Sequence, residues 1–161
     1  MTQTSPTDPG MSVIVKAVAG WLRTPILVFG AYTVLYGHLG PGGGFAGGVM
    51  IASGLALGTL AYGETRTGGS AARARAAVLG SAGALLFLAT ACLGVVTTRT
   101  FLQNVLPTPA ARHFSLLSGG LIPVYEIGIA LLVAGGLFAA FCGLAVIQRR
   151  FAPGGDAPED A

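Results

Sequence analysis

Two side chains in this sequence can exchange a proton inside a strongly apolar setting. Glu126 is the sole acid between Glu64 and Asp156, and it lies within the apolar run 121–147. A carboxylate at mid-membrane costs about 2.5 to 3.5 kcal/mol on insertion scales, so such a group usually faces protein or water and carries a task. A helix starting near Leu121 would hold it about one turn inside, at the positive end of the helix dipole. Two readings follow for Glu126. It is a helix-start carboxylate paired with Arg99 or Arg112 from the same side, or it takes part in moving an ion or a proton. His38 stands at the edge of another apolar run. Its unperturbed pKa of about 6.5 suits proton exchange near neutrality, and its ring can equally close a turn by bonding a free helix carbonyl.

His38 opens the second feature, Gly37-His38-Leu39-Gly40-Pro41-Gly42-Gly43-Gly44-Phe45-Ala46-Gly47-Gly48. Pro41 fixes φ and removes a backbone N–H. Glycine accepts positive φ at no steric cost. The helix arriving through Tyr36 must therefore stop here and a new one start near Phe45. Phe45 is the one bulky side chain among the glycines and is expected to anchor the turn. A phosphate cradle is excluded. A P-loop needs G-x-x-x-x-G-K-[ST], and a dinucleotide turn needs G-x-G-x-x-G after a strand; this stretch follows an apolar helical run and lacks the lysine. Bare backbone at membrane depth is tolerated where protein or trapped water satisfies it. That makes the turn a docking corner, or the lining of an ion path.

The elements that position these residues are membrane spans. Of 161 residues, 53% are hydrophobic and 9% charged, against about 25% charged in a soluble domain. Mean hydropathy is +0.74. Each span needs about 20 apolar residues, which predicts an all-α membrane protein of about four helices. The spans fall at about 13–38, 45–63, 76–96 and 121–147, between disordered tails at 1–12 and 149–161. The first is expected to be one continuous or bent helix, any bend falling at Pro25, rather than an interfacial segment followed by a short span. Gly47, Ile51, Gly54 and Gly58 share one face of the second helix. Gly83, Phe87, Thr90 and Gly94 share a stripe of the third. Gly128, Gly135, Ala139 and Cys142 or Gly143 form the small face of the fourth. Such faces let helix backbones approach closely. The connection 97–120, with Pro107 and Pro109, is too apolar for a free loop and is expected to lie at the interface or on a neighbouring chain.

Lysine and arginine set the orientation. Lys16, Arg23, Arg66, Arg73, Arg75, Arg149 and Arg150 fall on one side, Arg99 and Arg112 on the other. The positive-inside rule puts both termini in the cytoplasm of a cell-membrane protein and the glycine turn outside. Trp21, Tyr32, Tyr36, Tyr62 and Tyr125 read as an aromatic belt. Met1 to Gly10 lacks the pattern of a cleavable signal peptide. Cys92 and Cys142 belong to no metal-spacing cluster. They lie at different depths, too far apart for a disulfide. His113 reads as a surface residue. No paired nucleophile and base is present, so no enzymatic activity is expected, and the basic residues are too dispersed for nucleic acid.

The pattern G-H-x-x-P-G-G-G-F-x-G-G resembles the motif of the MnhB (MrpB) family, whose members are one component of the multi-subunit Mrp (Mnh) monovalent cation/proton antiporter. Residues 121–137 are similar to that family's last helix, and the resemblance spans roughly residues 13–147. It implies an accessory membrane subunit without cofactor or metal. Larger subunits of the same complex would be its partners, and Na+ or another monovalent cation and H+ the transported ions. Gly37, His38, Pro41, Gly42, Gly43, Gly44, Phe45, Gly47 and Gly48 would form the subunit seam. Two alternatives stand beside it: a self-contained small channel or transporter built as a homo-oligomer, and an MnhB-type subunit of a related respiratory complex.

Overall fold

The computed structural model describes residues 11–63, 69–106 and 119–151, the last four without side chains. The tails, Arg66, and the stretch 107–118 with Pro107, Pro109, Arg112 and His113 lie outside the described residues. Four helices follow one another: α1 Val13–Tyr36, α2 Gly44–Tyr62, α3 Gly69–Thr98 and α4 Ile122–Phe151. All four are long and apolar enough to cross a membrane. The fold is the expected helical membrane bundle with a glycine turn between its first two helices.

α1 is continuous for 24 residues and carries Pro25 within it. At about 1.5 Å per residue it reaches ~36 Å, enough for a ~30 Å hydrocarbon core. α3 begins earlier than the hydropathy suggests. Arg73 and Arg75, read from sequence as loop, lie in its first two turns, because a long arginine can snorkel from inside a helix as well as from a loop. The backbone of Arg149 and Arg150 likewise continues α4.

α2 packs on α1 and on α4, and α3 packs on α4, whereas α1 and α3 make no close approach. The buried side chains are mostly small: Ala19, Ala52, Ala61, Ala76, Ala91, Ala130 and Ala134, joined by Val34, Leu121, Phe138 and Cys142. Large apolar side chains such as Trp21, Val28, Leu85 and Leu144 point outward. That inversion of a soluble core is what lipid requires, since close packing of small residues holds membrane helices together. Both cysteines are free thiols.

The glycine faces lie against neighbouring helices. On α2, Gly47 rests on Gly30 and Val34, Gly54 on Leu27, and Gly58 on Arg23, all from α1. Gly48, one residue round the helix, rests on Ala130 and Val133 of α4. On the other hairpin, a Cβ on Gly83 would come within 2.6 Å of the Gly128 carbonyl, and Gly135 is pressed against Ala76 and Gly80. Tyr125 departs from the expected aromatic belt. Its ring meets Phe87 edge-on at 5.4 Å and its hydroxyl donates to the Thr90 carbonyl at 3.2 Å, so it ties α4 to α3. Phe29, Tyr32 and Tyr36 do stack along an outer face of α1.

Beyond α3 the chain turns through Arg99 and Leu102 at φ of 60° and 61°, then folds back over Gly94, where a Cβ would meet Thr100 and Gln103. Asn104 holds the start of α4. Its amide donates to the Gly119 carbonyl, and its oxygen accepts from the Leu121 N–H.

Candidate functional site

The glycine corner and the start of α4 form one site. α1 ends at Tyr36, and Gly37 packs directly against Gly43, so the chain reverses in a space that admits no side chain at Gly37. Gly43 holds φ 114° and ψ −179° as the residue before α2. That region of backbone space is essentially reserved for glycine. Gly44 follows, and a Cβ there would run into the carbonyl of Glu126. The glycines thus let the first turn of α2 lie backbone to backbone on α4, at the level of the acid. Phe45 does not anchor this turn. It is 66% exposed, and the turn is fixed by backbone contact instead.

Glu126 reaches past the corner toward His38. Its Oε2 lies 3.9 Å from His38 Nδ1, with side-chain exposures of 13% and 3%. Its Oε1 lies 3.7 Å from where a Cβ of Gly43 would stand, beside the N-terminus of α2. Gly119 packs beside the imidazole: a Cβ there would stand 3.1 Å from His38 Cδ2. Three helix ends therefore surround one acid and one imidazole.

For Arg99 this arrangement corrects the pairing expected for Glu126; Arg112 lies outside the described residues. The titratable neighbour of the acid among the described residues is His38, and no ion pair joins it to Arg99. Arg99 stands in the turn beyond α3, in the left-handed region, whereas the glycine corner brings His38 onto the acid. Sequence spacing separates His38 from Glu126 by most of the chain, so nothing in the pattern announced the contact.

The pair is close without being closed. His38 Nδ1, His38 Nε2 and Glu126 Oε2 are buried and make no hydrogen bond. Buried polar atoms are nearly always bonded, and leaving one unpaired costs about 1–3 kcal/mol. The ring can take or give a proton at either nitrogen, and the carboxylate can receive one. Chemically, the site can hold a proton on the imidazole or on the carboxylate. No group of three or more metal-binding side chains occurs among the described residues.

Residues 14–139 match the family described as domain related to MnhB subunit of Na+/H+ antiporter. The chain belongs to this family. Its motif now has a structural reading: Gly44 and Gly48 face α4, Gly47 faces α1, and the histidine of the motif faces Glu126. The chain is also similar to uncharacterized protein MJ1307 of Methanocaldococcus jannaschii, at 28% identity over 148 residues covering 84% of this chain and 55% of that protein. The chain thus spans about half the length of that curated relative. As an MnhB-related domain with four apolar helices, this is a multi-pass membrane protein of the Na+/H+ antiporter subunit family.

Proposed function

We propose that this chain is an accessory, non-enzymatic subunit of a multi-subunit monovalent cation/proton antiporter in the cell membrane. Its glycine corner docks against a larger subunit, and His38 and Glu126 stand at the seam. The observation that carries this reading is the close pair at one end of the bundle, whose two imidazole nitrogens and Glu126 Oε2 are buried without a hydrogen bond. Isolated from a partner it is an uncompensated polar defect; beside one, its free nitrogens and oxygen become bonding positions or a relay. The scarcity of ionisable groups supports an accessory role. Glu126 is the sole acid among the described residues, and a lone proton pump needs several buried ionisable groups to span the bilayer. The exposed Phe45 beside the corner gives the seam an apolar contact. The arginine distribution supports cytoplasmic termini with the corner on the outer side.

Removal of the chain from its native membranes, followed by affinity purification through it after re-expression, tests the reading. Larger membrane subunits co-purify, vesicles lacking the chain lose cation/proton antiport, and re-expression restores it. Cation flux in liposomes holding this chain alone would replace the proposal with a homo-oligomeric channel. Unchanged antiport without the chain would refute it.

A further inference from the structure

A groove runs along the bundle between α1 and α3. Its floor is α2 and α4, and its volume is about 640 Å³. It exists because α1 and α3 never meet. Leu55, Ala76, Leu131, Ala134 and Phe138 make its lining apolar. Among the described residues, Thr59 supplies the one hydroxyl on its walls, and that proton is already given to the Leu55 carbonyl at 3.1 Å. No acid lines it among the described residues.

Two cations stand at one end, Arg23 from α1 and Arg75 from α3. The Arg23 guanidinium lies over Gly58, 3.3 Å from where a Cβ would be, about one helical turn from the end of α2 at Tyr62. Its Nε is buried and makes no hydrogen bond. Guanidinium groups are suited to phosphate oxygens through their planar array of donors. From Arg23 to Leu35 the groove follows α1 for about 18 Å, close to one leaflet of a ~30 Å hydrocarbon core.

We propose that this groove binds an anionic phospholipid, its acyl chain along α2 and α4 and its phosphate on Arg23 and Arg75. Basic pockets between helices at one membrane face are suited to anionic headgroups. Charge decides the occupant. A partner helix would have to bring its own carboxylate to Arg23, whereas a lipid places a phosphate over an apolar trough by its own shape. The inference stands apart from the antiporter assignment, and the cationic end of the groove lies toward the opposite end of the bundle from His38 and Glu126.

Native mass spectrometry of the full-length protein in mild detergent, titrated with phosphatidylglycerol or phosphatidylcholine, tests it. Wild type retains one phosphatidylglycerol about tenfold more tightly than phosphatidylcholine, the effect of one charge-assisted contact. R23Q/R75Q brings the two lipids to parity, R23K/R75K keeps most of the preference, and Ala134→Trp weakens both lipids together by filling the floor. If the double variant fails to fold, Arg75→Gln alone decides, since that side chain is exposed; it reduces the preference severalfold. A photo-cross-linker at position 131 in native membranes labels lipid. Equal retention of the two lipids by wild type, an unchanged preference in the glutamine variants, or a cross-link from position 131 to a neighbouring polypeptide overturns the proposal.

Discussion

The two ends of this bundle solve opposite problems. At the glycine corner, three helix ends come so close that no side chain fits between backbones, and the polar groups left over are an acid and an imidazole. α1 and α3 stay apart, the space between them is lined by side chains, and the polar groups left over at its other end are arginines. Tight contact suits a rigid seam whose geometry must not vary. An open trough suits something that can be exchanged. The contrast predicts that substitutions of one chemical kind, adding a single methyl to a glycine, will range from destructive to helpful according to which region receives them.

Gly44→Ala carries the largest expected effect. The new methyl meets the Glu126 carbonyl, and backbone cannot swing aside as a side chain can. Overpacking typically costs 1–3 kcal/mol, so about 3 kcal/mol or more is expected here, with loss of the melting transition in detergent and of co-purifying partners. A wild-type melting profile would show that α2 and α4 are not in contact at this level.

Gly43→Ala should cost less, about 1–3 kcal/mol from its backbone conformation alone. Its methyl would stand 3.7 Å from Glu126 Oε1, an ordinary contact. The melting temperature falls while the protein remains folded and able to assemble. Equal damage from Gly43→Ala and Gly44→Ala would erase the distinction between a strained φ and a blocked backbone approach.

Glu126→Gln sharpens the comparison differently. The side chain keeps its shape, so melting and subunit stoichiometry stay close to wild type while antiport by the complex drops by about tenfold or more, the scale of a lost proton-transfer group. His38→Gln behaves alike, and the double variant is no worse than either single one if the two act as a unit. Additive losses would mean that they serve separate tasks.

Much of this was legible in the residues. Four apolar runs between turn-forming segments set the number of helices, and spacing of three and four placed Gly47, Gly54 and Gly58 on one face. Pro41 and the glycines fixed where α1 stops. What escaped was contact between distant segments. The encounter of His38 with Glu126 depends on how α2 leans on α4, and only the three-dimensional arrangement shows that Gly44 permits it. Charge alone suggested Arg99 or Arg112 as the partner because both lie on the same side of the membrane. Phe45 misled for a related reason: a bulky residue among glycines need not be buried where the outside is also apolar. Arg73 and Arg75 were read as loop because hydropathy registers their charge and ignores their aliphatic stems.

The smallest effect is expected at Gly136, in a helix of the same composition but with nothing within 4 Å of an added Cβ. Glycine inside a helix is less stable than alanine by roughly 0.5–1 kcal/mol. Gly136→Ala should therefore raise the melting temperature of the isolated chain slightly, the reverse of Gly44→Ala. The same variant also reports on assembly. If Gly136 faces lipid, the complex assembles as before. If melting rises while larger subunits no longer co-purify, a backbone from outside this chain lies on α4 there, and the seam extends well beyond the corner.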